Sequence, residues 1–428
     1  MKLFQKMLVA GSILSLLAPY NSQAADLVNI EEMNSYVRSR KKKSLKFDDK
    51  TFANEVSDFT NLEGTVNTQE TEQNSLQAAS FSDTTTMDGK AVMWIGVVDG
   101  GNEIGGSEST QTGYTFTMNL NTSFTGDDNL YVRLKTGENG DQWKNKATYH
   151  IETKDNSDQF KVDKIWYTFP IGENTTAFVG PRIENYYMYI TPSIYKPGAL
   201  KSFKLGGNSN FGASTDVGVG VKYELDNGFG LATNLVDKGA DTNNGVLSDV
   251  SVMKWDSQIA YTADRWHVSA FTSVARNWTS QSYNATTLGL QPARDSLGYA
   301  LRAYWIPEET GTIIPEISAG YDTKSFGGVD FVGETTEASS AMIGFTWKDQ
   351  FQPDDRIGLA LTQPLKATEV KGGGPTGEGD PLVWEAYYSF RPNDSMELVP
   401  AVFGGTNVLT DGDDDNIFGL LFTSKFKF

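Results

Sequence analysis

Two groups of residues carry spacings associated with known chemistry. Asp411, Asp413 and Asp415, with Asp414 among them, reproduce the D-x-D-x-D opening of a calcium loop. Such a loop also needs glycine at its sixth position and a bidentate glutamate at its twelfth, where this chain has Asn416 and Phe422. The cluster therefore reads as a solvated acidic loop and not as a dedicated metal site. His150 and His267 are the two imidazoles, cysteine is absent, and neither GxSxG nor HExxH occurs. No nucleophile–base pair or thiolate can be assembled from these parts, so no catalytic residue, enzymatic activity or cofactor is expected. A third group is suited to recognition: Arg182, Glu184, Tyr186, Tyr187, Tyr189 and Tyr195 fall within residues 182–210. Tyrosine rings stack on the apolar faces of sugars while charged groups and phenols bond their hydroxyls. Folded inward, this segment would narrow a channel; folded outward, it would pack on its own aromatics or on a neighbouring subunit.

The elements that position these groups are strands. At the carboxyl end Phe418, Leu420, Phe422, Phe426 and Phe428 share one face, and Gly419, Thr423, Lys425 and Lys427 the other. Period-two alternation over about ten residues is what a tilted strand with lipid on one side and water on the other requires; a soluble edge strand is the alternative. The same pattern recurs at Tyr114 to Phe124, Val217 to Leu225 and Leu297 to Trp305. By this parity Arg133, Lys135, Lys164, Lys222 and Arg302 face inward, as do Glu224, Glu316, Asp322 and Glu385. Together they predict a lumen wall of mixed sign. Tyr114, Trp166, Tyr167, Trp266, Trp305, Trp347, Trp384 and Tyr388 lie at strand ends, where rings with a polar tip form interfacial girdles, although Trp166 also suits the lumen.

Connections alternate between short turns, such as Asp226 to Gly228, and long loops, such as those around Asn145 and Ile194. Seven short and eight long connections join sixteen strands, with fourteen or eighteen if a weak pair near Thr176 to Gly180 is merged or split. The predicted fold is all-β: a transmembrane antiparallel up-and-down barrel over residues 81–428. Sixteen strands leave an aqueous interior.

Ahead of the barrel, Lys2 and Lys6, the apolar run Met7 to Ala18 and Ser22-Gln23-Ala24 have the order of a secretory leader over residues 1–24. Residues 25–80 form a polar periplasmic segment with Arg38, Arg40, Lys41, Lys42 and Lys43, followed by seven-residue spacing through Phe52, Phe59 and Val66. A short coiled coil and a flexible linker both fit this spacing. The basic run is able to attract anionic wall polymer by charge, or simply to be solvated. A net charge of −18 argues against nucleic acid as a partner.

MNSYVRSRKKK (Met33 to Lys43), FSDTTTMDGK (Phe81 to Lys90) opening the barrel and FTSKFKF closing it resemble the cyanobacterial major outer-membrane porins. These are the Som-type members of the carbohydrate-selective OprB-like family, also known as iron-uptake porins. The resemblance implies passive, size-limited diffusion of small hydrophilic solutes through a homotrimer in the outer-membrane lipid. It also implies that Phe422, Phe426 and terminal Phe428 are read by the barrel-insertion machinery. Family members carry an S-layer-homology domain that grips wall polymer, and here only Asp26 to Lys50 stand in its place. A structural tether between outer membrane and wall, with a narrow or closed barrel, is the competing expectation.

Overall fold

The computed structural model describes residues 84–100, 109–139, 143, 149–207, 215–239, 243, 245–279, 285–286, 288–289, 293–374, 376, 379–407 and 416–428. The leader, the 25–80 segment with its basic run and heptad spacing, and the acidic cluster at 411–415 lie outside the described residues.

Sixteen strands form the wall. The first eight are β1 (Thr85–Asp99), β2 (Gln111–Thr122), β3 (Asn129–Glu138), β4 (Lys161–Ile171), β5 (Thr175–Glu184), β6 (Thr215–Glu224), β7 (Phe229–Asp237) and β8 (Met253–Thr262). The second eight are β9 (Trp266–Trp278), β10 (Arg294–Trp305), β11 (Glu316–Phe326), β12 (Thr335–Lys348), β13 (Arg356–Val370), β14 (Leu382–Asn393), β15 (Met396–Thr406) and β16 (Asn416–Lys427). Each pairs antiparallel with its sequence neighbours, and β1 pairs with β16 to close the ring. Closure leaves no row of unpaired backbone groups, which a strand in hydrocarbon could not satisfy. The expected strand number holds, and the weak segment at Thr176 is a strand of its own between β4 and β6.

Alternation sets which face meets which medium. On β16, Phe418 and Leu420 are about half exposed on the outside, while Leu421 and Thr423 are buried inside. The terminal residue extends this closure, since the Gly89 N–H donates to the Phe428 carbonyl (2.9 Å) and the Phe428 N–H to the Gly89 carbonyl (3.1 Å). The Phe428 ring then stacks on Phe116. A Cβ on Gly89 would stand 2.6 Å from that ring, so the seam depends on a residue without a side chain. Trp266 and Trp305 are exposed on the outer face beside short turns.

The long connection between β5 and β6 turns into the barrel. Register shifts against both β4 and β6 mark the end of β5, where bulges re-aim the chain. Two short 3-10 turns follow, Asn185–Met188 and Lys201–Gly206. Two apolar clusters seat this loop against the wall: one joins it to the inner faces of β12–β16 and β1, the other to those of β3–β5, β7, β9 and β10.

Candidate solute passage and its inward loop

The loop is fastened to the wall at successive points along its length. Ile190 exchanges two hydrogen bonds with the Gln258 amide of β8, at 2.8 and 2.7 Å. Ser318 of β11 accepts from the N–H groups of Ile194 and Tyr195. Farther round, Glu385 of β14 accepts from the Tyr195 hydroxyl and from the N–H groups of Gly198, Ala199 and Leu200, at 2.8–3.1 Å. The Tyr387 hydroxyl donates to the Lys196 carbonyl, and Arg302 Nε of β10 donates to the Leu205 carbonyl. The segment thus crosses the interior from β5 to β14 before returning to β6.

Glycines on the inner wall make room for it. The Gly206 carbonyl lies against Gly320 so closely that a Cβ there would be 1.9 Å from the oxygen, and the Tyr195 ring covers Gly344. The connection between β3 and β4 reinforces the loop: the Ile151 N–H donates to the Ala199 carbonyl and the Lys201 N–H to the Tyr149 carbonyl. Trp143 and His150 from that connection pack on Trp94 of β1. Burial holds the His150 imidazole down at about 3, so it is neutral at ordinary pH and belongs to the packing.

The predicted recognition residues separate. Tyr186, Tyr187, Tyr189 and Tyr195 are buried. Tyr187 stacks on Tyr186 and packs at a tilt against Trp166, and the Tyr189 hydroxyl donates to Asp256 at 2.6 Å. Their rings brace the loop and present no open face for a sugar. The inward wall is itself aromatic at Trp166, Phe178 and Phe271, and the tyrosines pack there. Arg182 lies in β5 opposite Ile165 and is exposed, so it stands before the loop. Glu184 is buried, 2.7 Å from Arg133 and 3.5 Å from Lys164.

The residues assigned to the inner wall fall into two groups. Arg302 pairs with Asp322 at 2.7 Å, Glu316 with Lys348, and Lys222 with Glu224, while Glu385 is enclosed by the loop. Arg302 and Glu385 hold the loop in place. Arg133, Lys135 and Lys164 form the second group, on β3 and β4, with Asp163, which sequence reasoning did not single out. Arg133 lies 2.9 Å from Asp163 and Lys154 lies 2.8 Å from it. From the connection between β3 and β4, Glu152 is bound by Lys90 at 2.8 Å and Lys425 at 3.6 Å. Burial opposes the charge on Glu152, but Lys90, Lys425 and Lys135 outweigh it and hold the carboxyl well below its ordinary range. Lys201 and Lys204, from the loop itself, complete this side, with their ammonium groups over the rings of Tyr149 and Tyr186.

No protein-family model matches the chain. An uncharacterized protein of Synechocystis sp. is 25% identical over 377 residues, covering 78% of this chain and 67% of that protein. Among solved structures, OprB of Pseudomonas putida at high pH superposes with a TM-score of 0.55 at 12% identity, over 83% of this chain and 96% of that one. An anion-selective porin from Comamonas acidovorans gives a TM-score of 0.54 at 10% identity, over 81% and 99%. The barrel is porin-like in fold.

Proposed function

We propose that the protein is an outer-membrane porin that lets small hydrophilic solutes diffuse passively, limited by size, without reaction or cofactor. The observation that carries this reading is the reversal of character across one wall. Val219, Leu301 and Phe418 are exposed outside, whereas Arg133, Lys164 and Asp163 occupy the inside. A closed ring of this kind needs lipid around it and water within it. The inward loop sets the constriction. Sugars, inorganic ions and iron species are the solute classes of the Som-type, OprB-like porins that the sequence resembles. In this reading residues 1–24 are a leader, residues 25–80 are periplasmic, and Arg38 to Lys43 contact wall polymer. Homotrimers form through the barrel's outer face, and Phe422, Phe426 and Phe428 are recognised during insertion.

A structural tether with a narrow barrel is the second reading. It is favoured by the burial of inward residues such as Asp256, Arg302 and Glu385 beneath the loop. Conductance of the purified protein in a planar bilayer separates the two. Large steps in groups of three support an open trimeric porin, and folded protein without steps supports the tether.

A further inference from the structure

Around β8–β14 the inward residues are buried against the loop, with Asp256 and Glu385 at 0% exposure. Along β1–β4, by contrast, the side chains of Lys90 and Lys154 are 24% and 29% exposed, and Lys135, Lys201 and Lys204 are half-buried. Solvent therefore reaches Lys90, Lys135, Lys154, Lys201 and Lys204 on this side, around the buried ion pairs of Arg133, Lys164 and Asp163.

That side carries an excess of positive charge. Three carboxylates are each shared between cations: Glu152 by Lys90 and Lys425, the latter also 3.7 Å from Glu397, Asp163 by Arg133 and Lys154, and Glu184 by Arg133 and Lys164. Lys135 and Lys201 feel these same carboxylates, Lys135 that of Asp163 and Lys201 that of Glu184. Lys135, Lys164 and Lys204 also lie within electrostatic reach of Lys201. The chain as a whole is at −18, so the local sign opposes the global one. Like charges gathered in a partly desolvated interior are stabilised by mobile counter-ions, and walls of low dielectric focus that field.

We infer that the passage between the inward loop and the β1–β4 wall selects small inorganic anions, which meet Lys135, Lys201 and Lys204. This inference rests on the channel reading above and adds the sign of the preferred solute. A charge ladder of this kind lowers the barrier for anions without holding them tightly, because each lysine offers a point charge on a flexible stem.

The test is the reversal potential of the full chain in a planar bilayer under a potassium chloride gradient. It is repeated with Lys135→Gln and Lys201→Gln, singly and together, after strand content and heat-dependent gel mobility have shown that each variant folds. The expected result is anion preference in the wild type, weakened by each substitution and most by both. Cation preference, or anion preference that the substitutions leave unchanged, overturns the inference while the channel reading stands. If folded protein gives no conductance, the channel reading fails, and inorganic phosphate is then titrated against the thermal unfolding of the protein in detergent. Protection that is lost in the double variant supports an anion site, and absence of protection overturns it.

Discussion

The Tyr195 hydroxyl donates to Glu385 Oε1 at 2.9 Å, joining the middle of the inward loop to a strand on the far side of the barrel from where the loop begins. The same carboxylate takes three consecutive loop N–H groups, so one side chain fixes both the position and the backbone conformation of residues 198–200. Intramolecular hydrogen bonds contribute about 0.5–1.5 kcal/mol each, and these four, converging on one buried carboxyl group, act as one unit. Glu385→Ala is expected to release the loop while the wall stays closed. Amide exchange across residues 190–207 should quicken and single-channel conductance should rise and become noisier, with strand content unchanged. Exchange as slow as in the wild type would show that the apolar clusters alone hold the loop.

At the seam, Phe428 bonds to Gly89 through both backbone groups and covers it with its ring. Gly89→Val places branched carbons where the ring lies and where the Thr117 carbonyl is 2.5 Å from an added Cβ. The barrel should then assemble in lower yield, seen as loss of the heat-modifiable band on a gel. Phe428→Ala should show a milder loss, because the backbone pair survives. Equal yields for all three proteins would separate the terminal ring from closure.

The sequence displayed the wall more clearly than its contents. Period-two alternation at Val217 to Leu225 and at Leu297 to Trp305 indicated the outer face, because lipid and water impose opposite requirements on successive residues. The path of the inward loop left no such mark. Its main partner at Glu385 is backbone, which has no sequence signature, and its seats at Gly320 and Gly344 are ordinary strand glycines until the loop is placed. Strand β1 shows the difficulty best. Ala91 to Val98 is apolar at nearly every position, because Met93 and Ile95 face outward while Trp94 and Val98 join the apolar cluster inside. A strand covered on both sides cannot show alternation.

Lys201 gives the passage a dependence on pH near neutrality. Burial first, then Lys135 and Lys204, push its ammonium from 10.5 down to about 7. The anion preference inferred above should therefore be strongest below that value and decline as pH rises through it, and Lys201→Gln should remove the part of the decline that falls near neutral pH. For stability the sign is opposite to that of a group gaining a partner. Between about 7 and 10.5 the unfolded chain holds the proton that the folded chain has lost, so stability rises with pH across this window. Unfolding curves in detergent at several pH values check this, and a slope that is the same for wild type and Lys201→Gln would refute it.

Two short turns share a device built on aspartate. Asp128, before β3, accepts from the N–H groups of Phe124 and Thr125, from the hydroxyls of Ser123 and Thr125, and from the Tyr167 hydroxyl of β4. Asp355, before β13, accepts from the N–H groups of Gln350, Phe351 and Gln352 and from the Tyr388 hydroxyl of β14. In both, burial raises the carboxyl and the donors outweigh it, holding each below its ordinary range. A depressed folded-state value means that the contribution is present above the unfolded value and is lost as pH falls through the folded one. Asp128→Asn keeps the shape and lets one oxygen still accept from the turn amides, with the amide nitrogen beside the Tyr167 hydroxyl, but it removes the charge that strengthens these bonds. Its midpoint of unfolding should lie below the wild type at neutral pH, and the gap should narrow in acid as the wild-type carboxyl protonates. Tyr167→Phe should lower the midpoint by a smaller amount, because it removes one donor and leaves the turn amides paired. A gap of constant size down to strong acid would mean that the charge of Asp128 contributes nothing and that only its shape holds the turn.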